Sequence, residues 1–144
     1  MKKKSILLVE NSLDDVELAR VAFNESGIDC ETVVARDGQE ALDWLLAEGG
    51  CGRLPAVVLL DLNLPRVNGF EVLQRLRSDD RTRYLPVVVL SSSREECDMQ
   101  VSYRLGANSY IQKPLDFARF AESVKQVALY WLGHNEVPEQ CREP

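Results

Sequence analysis

The chain has 144 residues, a length that suits one domain with a substantial core. Its formal net charge is −6 and its pI is about 4.9, so we expect no nucleic-acid partner, because binding to phosphates requires a basic face. No apolar stretch approaches the roughly 20 residues that span a bilayer, and Ile6–Val9 is too short for a signal-peptide core. We therefore expect a cytoplasmic protein with no membrane contact.

The cysteines and the histidine exclude several kinds of chemistry. The cysteines are scattered without a Cys-x-x-Cys pair, which is typical of reduced thiols rather than of a disulfide framework or a zinc site. Their positions are Cys30, Cys51, Cys97 and Cys141. His134 is the only histidine, so Ser-His, Cys-His and multi-histidine metal sites are excluded.

Strand and helix patterns alternate along the chain. The apolar run Ser5–Val9 predicts a first strand, and apolar residues at helical spacing predict a helix over Leu13–Ser26. A second strand is predicted over Cys30–Ala35. Asp37, with Glu40 three residues later, has the pattern of a capping box and predicts the start of a second helix.

The run Val57–Leu60 is apolar throughout, which is typical of a third strand buried on both faces. The remaining predicted elements are a third helix over Asn68–Ser78, a fourth strand over Val87–Ser91, a fourth helix capped by Ser93 and ending near Gly106, a fifth strand over Tyr110–Pro114 and a last helix from Asp116. Alternating units of this length predict an α/β fold with a doubly wound parallel sheet. We expect one domain over residues 4–131 and an irregular tail over residues 132–144, which leaves no room for an output domain.

Polar side chains follow four of the predicted strands, at the point where each strand ends. Glu10 and Asn11 follow the first strand, Asp61 follows the third, Ser91 ends the fourth and Lys113 ends the fifth. An isolated aspartate at a strand end would more simply cap a loop. Because the carboxyl ends of parallel strands meet at one edge, the acid, amide, hydroxyl and amine groups should instead converge on one crevice.

With these residues in place, the chain resembles the receiver domain of two-component response regulators. The matching residues are Glu10, Asp61, Asn63-Leu64-Pro65, Asn68-Gly69, Ser91, Tyr110 and Lys113-Pro114. The resemblance covers Lys4 to Trp131 and implies a flavodoxin-like five-stranded parallel sheet with helices on both faces. The segment Asp61–Arg66 and the Tyr130-Trp131-Leu132 sequence resemble the stand-alone regulators that partner phytochrome-type sensor kinases.

The resemblance also implies roles for individual residues. Asp61 would accept a phosphoryl group from the phosphohistidine of a sensor histidine kinase or a phosphotransfer protein. Lys113 and Ser91 would contact the phosphoryl oxygens, and Tyr110 would act with Ser91 as a conformational switch. Pro114 would follow a cis peptide bond, as in the family. Such a protein promotes its own phosphorylation and dephosphorylation but is not a classical enzyme.

The implied cofactor is Mg²⁺, which prefers oxygen ligands. Glu10 and Asp61 would supply carboxylate oxygens, and Asn63 its backbone carbonyl. The family usually carries a second acid at the position of Asn11, where this chain offers an uncharged amide ligand, so we expect weaker metal binding. We interpret the neighbouring Asp14-Asp15 pair as charges favoured by the helix dipole rather than as ligands.

Three other functions fit the sequence less well. A pseudo-receiver would use the same fold as a binding module without phosphorylation, and Asn11 is its only support. A phosphatase of the haloacid-dehalogenase type would need a second carboxylate two residues after Asp61, where this chain has Asn63. A flavodoxin-like FMN carrier would need a phosphate-binding loop after the first strand, where the acidic segment Glu10–Asp15 would repel a phosphate.

The last helix carries more aromatic residues than one buried stripe requires. Phe117, Phe120, Tyr130 and Trp131 lie along it, and the adjacent Tyr130 and Trp131 point about 100° apart on a helix, so both cannot enter the same core. We therefore expect a homodimer or kinase-docking surface at this helix. The alternative is that the tail folds back over these residues.

Overall fold

Five parallel strands alternate with five helices in the part of the chain that the computed structural model describes, which comprises residues 4–46, 54–93, 95–113 and 116–137. The elements in chain order are β1 (Lys4–Val9), α1 (Leu13–Glu25), β2 (Cys30–Ala35), α2 (Gly38–Leu45), β3 (Val57–Leu60), α3 (Gly69–Ser78), β4 (Val87–Ser91), α4 (Glu96–Arg104), β5 (Ser109–Gln112) and α5 (Phe117–Gly133). None of the described helices is both long enough and apolar enough to cross a membrane.

The strands form one sheet in the order β2-β1-β3-β4-β5, with every neighbouring pair parallel. This is the flavodoxin-like order, so the predicted fold class is confirmed. In the central pair, Leu8 lies beside Leu59 and Val9 beside Leu60. β1 and β3 therefore end together, and Glu10 and Asp61 follow at the same edge.

The two faces of the sheet are covered by different helices. Leu7 and Val9 point to a core shared with α2 and α3, whereas Ile6 and Leu8 point to a core shared with α1 and α5. All four residues of β3 are buried, as the uninterrupted apolar run predicted. Each buried leucine of this kind contributes roughly 1.5–3 kcal/mol, so the strands that carry the polar edge are held rigidly.

Side-chain caps fix the starts of most helices. The Asp37 carboxylate accepts a hydrogen bond from the Glu40 amide at 2.8 Å, as predicted, and Asn68 caps α3 by accepting from the Glu71 amide at 3.0 Å. The predicted cap of α4 by Ser93 is wrong. The Ser93 hydroxyl instead donates to Asp98 at 2.6 Å, and α4 begins after Glu95 without a side-chain cap.

The C-terminal helix is longer than expected. α5 continues through Gly133, so Leu132 and Gly133 belong to the helix and not to the irregular tail. The physical reason is packing, because Leu132 is buried in the apolar core that α1 and α5 form with one face of the sheet. The Lys4 ammonium donates to the Leu132 carbonyl at 2.7 Å and ties the helix end to β1. The cis peptide predicted before Pro114 lies outside the described residues, as do Cys51 and Cys141.

Candidate functional site

Backbone hydrogen bonds extend the sheet beyond the strand ends and fix the polar residues there. The amide of Glu10 donates to the Ala35 carbonyl at 3.0 Å, and the amide of Asp61 donates to the Val9 carbonyl at 3.1 Å. The amide of Lys113 donates to the Ser91 carbonyl at 2.7 Å. The polar side chains therefore start from rigid backbone rather than from free loops.

The Lys113 ammonium lies at the centre of a cluster of carboxylates. It donates to Glu10 Oε1 at 2.8 Å, to Asp15 Oδ2 at 2.8 Å and to Asp61 Oδ2 at 3.3 Å. The side chains of Glu10, Asp61 and Lys113 are 3%, 9% and 13% exposed. Four ionisable groups thus share a small, mostly dry volume, where charges interact more strongly than in water. The structure therefore brings together Glu10, Asp61 and Lys113, as the strand ends predicted.

Asp15 is the member of this cluster that the strand-end pattern does not predict. Its place in the first turn of α1 indicates only a charge favoured by the helix dipole, but its carboxylate contacts Lys113 directly while Asp14 is exposed to solvent. The local reason is the cap of α1: the Ser12 hydroxyl accepts from the Asp15 amide at 3.3 Å, and the Ser12 amide donates to Glu10 Oε2 at 3.1 Å. The spacing from Ser12 to Asp15 is the signal that could have placed Asp15 at this edge.

The cluster shifts the pKa values of two of its members. Burial raises the pKa of Glu10 to about 6, and the negative charge of Asp61 adds to this effect, while the hydrogen bond from Lys113 opposes it. Burial alone would lower the pKa of Lys113, but its hydrogen bonds to Asp15 and Glu10 and the charge of Asp61 raise it above the usual value. Lys113 therefore stays charged at neutral pH.

The loop after β3 folds tightly against Asp61. The Asn63 amide donates to Asp61 Oδ1 at 3.1 Å, and Arg66 adopts a positive φ of 68°. Gly69 begins α3 directly beneath the acid. A Cβ at Gly69 would lie 2.6 Å from the Asp61 carbonyl oxygen, so only glycine permits this approach.

A second network links β4 to β5 through Ser93. The Ser93 amide donates to the hydroxyl of Ser91 at 3.1 Å, and the Tyr110 hydroxyl donates to the Ser93 carbonyl at 3.2 Å. The Ser93 hydroxyl is itself held by Asp98, at the start of α4. Ser91 and Tyr110, the pair that the family resemblance implies as a switch, are thus joined through Ser93, which the sequence indicated only as a cap of α4.

The chain matches the family model of the response regulator receiver domain over residues 6–125. It belongs to this family. The receiver is 43% identical to the probable methanogenesis regulatory protein FilR2 of Methanothrix harundinacea over 134 residues, which are 92% of this chain and 86% of that protein. It is 37% identical to the response regulator Rcp1 of Synechocystis sp. over 137 residues, which are 94% of this chain and 93% of Rcp1.

Solved structures of response regulators share the fold. The phosphorylated cyanobacterial phytochrome response regulator RcpA superposes with a TM-score of 0.89 at 39% identity, covering 95% of this chain and 99% of RcpA. The Mn²⁺-bound form of Rcp1 superposes with a TM-score of 0.86 at 36% identity, covering 94% of this chain and 99% of Rcp1. The receiver is therefore related to phytochrome response regulators.

The donor chemistry of the cluster suits a small divalent cation. Three carboxylates already surround a cation, the Lys113 ammonium, and carboxylate and carbonyl oxygens are the ligands that Mg²⁺ accepts. Within the described ranges, no group of three or more acidic, histidine or cysteine side chains is arranged to hold a metal by itself. Carbonyl and water oxygens would have to complete the shell. Asn11, the residue that follows Glu10, is exposed to solvent.

Proposed function

We propose that this receiver accepts a phosphoryl group on Asp61 from the phosphohistidine of a sensor histidine kinase or a phosphotransfer protein in the cytoplasm. The observation that carries the proposal is the position of Asp61, a nearly buried carboxylate at the end of β3 with an ammonium 3.3 Å away. A carboxylate in that setting is a usable nucleophile and a charge partner is already in place. Transfer to the wild type but not to Asp61→Asn tests the function.

Phosphoryl transfer to Asp61 is a displacement at phosphorus. A carboxylate oxygen of Asp61 forms a bond to phosphorus while the phosphorus–nitrogen bond of the phosphohistidine breaks, and the imidazole leaves with the electron pair. Lys113 lies close enough to Asp61 for its ammonium to contact the oxygens of a phosphoryl group bound there. The low exposure of Glu10 and Asp61 limits competing water at the acyl phosphate.

We propose Mg²⁺ as the cofactor, held by the carboxylates of Glu10 and Asp61, the backbone carbonyl of Asn63 and the side chain of Asn11. When bound, the ion neutralises charge on the phosphoryl oxygens. The Glu10 carboxylate is pre-oriented for this role by the Ser12 amide, and the Asp61 carboxylate by the Asn63 amide.

Replacing Asn11 with aspartate is expected to tighten Mg²⁺ binding by about 1–3 kcal/mol, because a charge is added beside two carboxylates in a partly dry site. The metal-free variant should also lose stability, since the added carboxylate repels its neighbours. Isothermal titration calorimetry with Mg²⁺ measures the first effect and urea unfolding the second. Asn24→Asp, on the exposed side of α1, is the control. Equal affinities for wild type and Asn11→Asp would mean that residue 11 is not near the metal.

We propose that Ser91 and Tyr110 form the switch, coupled through Ser93. In crystals with beryllofluoride, the Ser91 hydroxyl should leave the Ser93 amide for the phosphoryl analogue, and Tyr110 should change its rotamer relative to the free protein. Ser91→Ala removes the hydroxyl that follows the phosphate, so Tyr110 should not respond in that variant. The exposed Ser92→Ala is the control. The same Tyr110 rotamer in both wild-type forms would contradict the switch.

We also propose that α5 forms a homodimer or kinase-docking surface. Tyr130 is 51% exposed and packs edge-on against the half-buried Trp131, with ring centroids 5.0 Å apart. A groove beside this pair is lined by Trp131 together with Tyr84 and Val137, which are both exposed. Large exposed aromatic side chains of this kind mark interaction sites.

Sedimentation at micromolar concentration, with and without beryllofluoride, tests the dimer. We expect the dimer fraction to fall in Tyr130→Ala and to be unchanged in Tyr103→Ala, which removes an equally exposed aromatic ring from α4. A monomer under all conditions would exclude the homodimer and leave only kinase docking.

A further inference from the structure

The Lys113 ammonium contacts three carboxylates, although one would balance its charge. Glu10, Asp15 and Asp61 all lie within 3.3 Å of its nitrogen, and no other cation is recorded in contact with these three carboxylates among the described residues. When all four groups are ionised, the cluster therefore keeps two uncompensated negative charges. That surplus equals the charge of one divalent cation, and it depends on Asp15 as much as on Glu10.

Asp15 is also built into the site rather than adjacent to it by chance. Ser12 connects it to Glu10, because the Ser12 amide bonds the Glu10 carboxylate and the Ser12 hydroxyl caps α1 at the amide of Asp15. Its distance to Lys113 Nζ is 2.8 Å, whereas the distance from Asp61 is 3.3 Å. Asp15 thus competes with Asp61 for the ammonium and holds it towards α1.

We propose that Asp15 is a positioning residue for Lys113 and supplies the third negative charge of the cluster, the charge that Asn11 does not provide. The inference rests on the proposed function of Asp61. Asp15 acts in two ways: it keeps Lys113 from closing on the nucleophile, and it maintains the surplus of negative charge that attracts a divalent cation. Both effects favour entry of the metal, because Mg²⁺ and Lys113 compete for the same carboxylates.

The test compares Asp15→Asn with Asp14→Asn. Both variants remove one carboxylate from the first turn of α1 and weaken its interaction with the helix dipole equally, but Asp14 is exposed and Asp15 contacts Lys113. Calorimetric titration with Mg²⁺ should show about 3- to 10-fold weaker binding for Asp15→Asn and little change for Asp14→Asn. In crystals of metal-free Asp15→Asn, Lys113 Nζ should move closer to Asp61 than 3.3 Å. Equal affinities in the two variants would overturn the proposal.

A second-site variant tests whether the negative charge of the cluster sets its affinity for Mg²⁺. In Asn11→Asp/Asp15→Asn the formal charge of the wild type is restored at a different position, so Mg²⁺ affinity should return at least to the wild-type value. If the double variant binds Mg²⁺ as weakly as Asp15→Asn, the charge account is wrong.

These measurements also separate the inference from the function on which it rests. A difference between Asp15→Asn and Asp14→Asn in Mg²⁺ affinity, in a protein that is never phosphorylated, would remove the proposed function and leave the role of Asp15 in place. Normal phosphorylation of Asp61 with no difference between the two variants would remove the role of Asp15 alone.

Discussion

Replacing Asp61 with asparagine is expected to abolish phosphorylation. The amide keeps the size of the side chain and can still accept from the Asn63 amide, so the loop after β3 should remain folded. It lacks the anionic oxygen that attacks phosphorus, and no other carboxylate of the cluster follows β3. Intact-protein mass spectrometry after incubation with acetyl phosphate and Mg²⁺ should show a phosphorylated species for the wild type only.

The matched control for this experiment is Asp43→Asn, which removes an exposed carboxylate from α2, on an element that does not reach the cluster. It should be phosphorylated as efficiently as the wild type. Phosphorylation of Asp61→Asn to the wild-type extent would show that another residue is the acceptor.

Replacing Lys113 with methionine is expected to destabilise the metal-free protein by about 2–4 kcal/mol at neutral pH, because buried carboxylates then lose their partner. Methionine preserves most of the aliphatic stem, so the loss reports charge rather than packing. Urea unfolding measures the effect, and Lys125→Met on α5 is the control, because Lys125 is also half-buried and lies on an element outside the cluster. Lys113→Met should also be poorly phosphorylated, because no ammonium then stabilises the negative charge of the phosphoryl oxygens.

The destabilisation should depend on pH with a definite sign. Burial already raises the pKa of Glu10 from 4.5 to about 6, and removal of Lys113 raises it further. A carboxyl whose pKa is higher in the folded state than in the unfolded state lowers stability progressively as the pH rises from the unfolded pKa to the folded pKa, so a further rise of the folded pKa adds its cost above pH 6. The stability deficit of Lys113→Met should therefore be small near pH 5 and grow as the pH rises through 6 towards 8. A deficit that shrinks over this range would mean that the carboxylates do not depend on Lys113.

The fold was predictable because its signals are local. Val57–Leu60 has no polar residue, which predicts a strand buried on both faces. The capping pattern of Asp37 and Glu40 predicts the hydrogen bond from the Glu40 amide to the Asp37 carboxylate. The strand order required the family resemblance, because periodicity carries no information about which strands are neighbours. The α4 cap was predicted wrongly since the Ser93 hydroxyl has a competing partner, Asp98, that the capping pattern does not consider.

The site was predictable to the extent that it is built from strand ends. Glu10, Asp61 and Lys113 each follow a strand directly, and parallel pairing alone brings them to one edge. Asp15 lies on a helix, and its entry into the cluster depends on the direction in which α1 leaves the sheet. The Ser12 cap is a local signal that spacing does show, but the direction of α1 also depends on its packing against α5, which is a tertiary effect that spacing alone does not reveal.

Phosphoryl transfer from a histidine kinase to Asp61 tests the central claim most directly. A phytochrome-type sensor kinase that has been autophosphorylated with radiolabelled ATP is mixed with the receiver and Mg²⁺, and the label on each protein is followed over time. The proposed function predicts that label leaves the kinase histidine and appears on the wild-type receiver as an alkali-labile acyl phosphate, and that Asp61→Asn stays unlabelled. Equal labelling of wild type and Asp61→Asn, or no labelling of a wild-type receiver that also fails to react with acetyl phosphate, would contradict it.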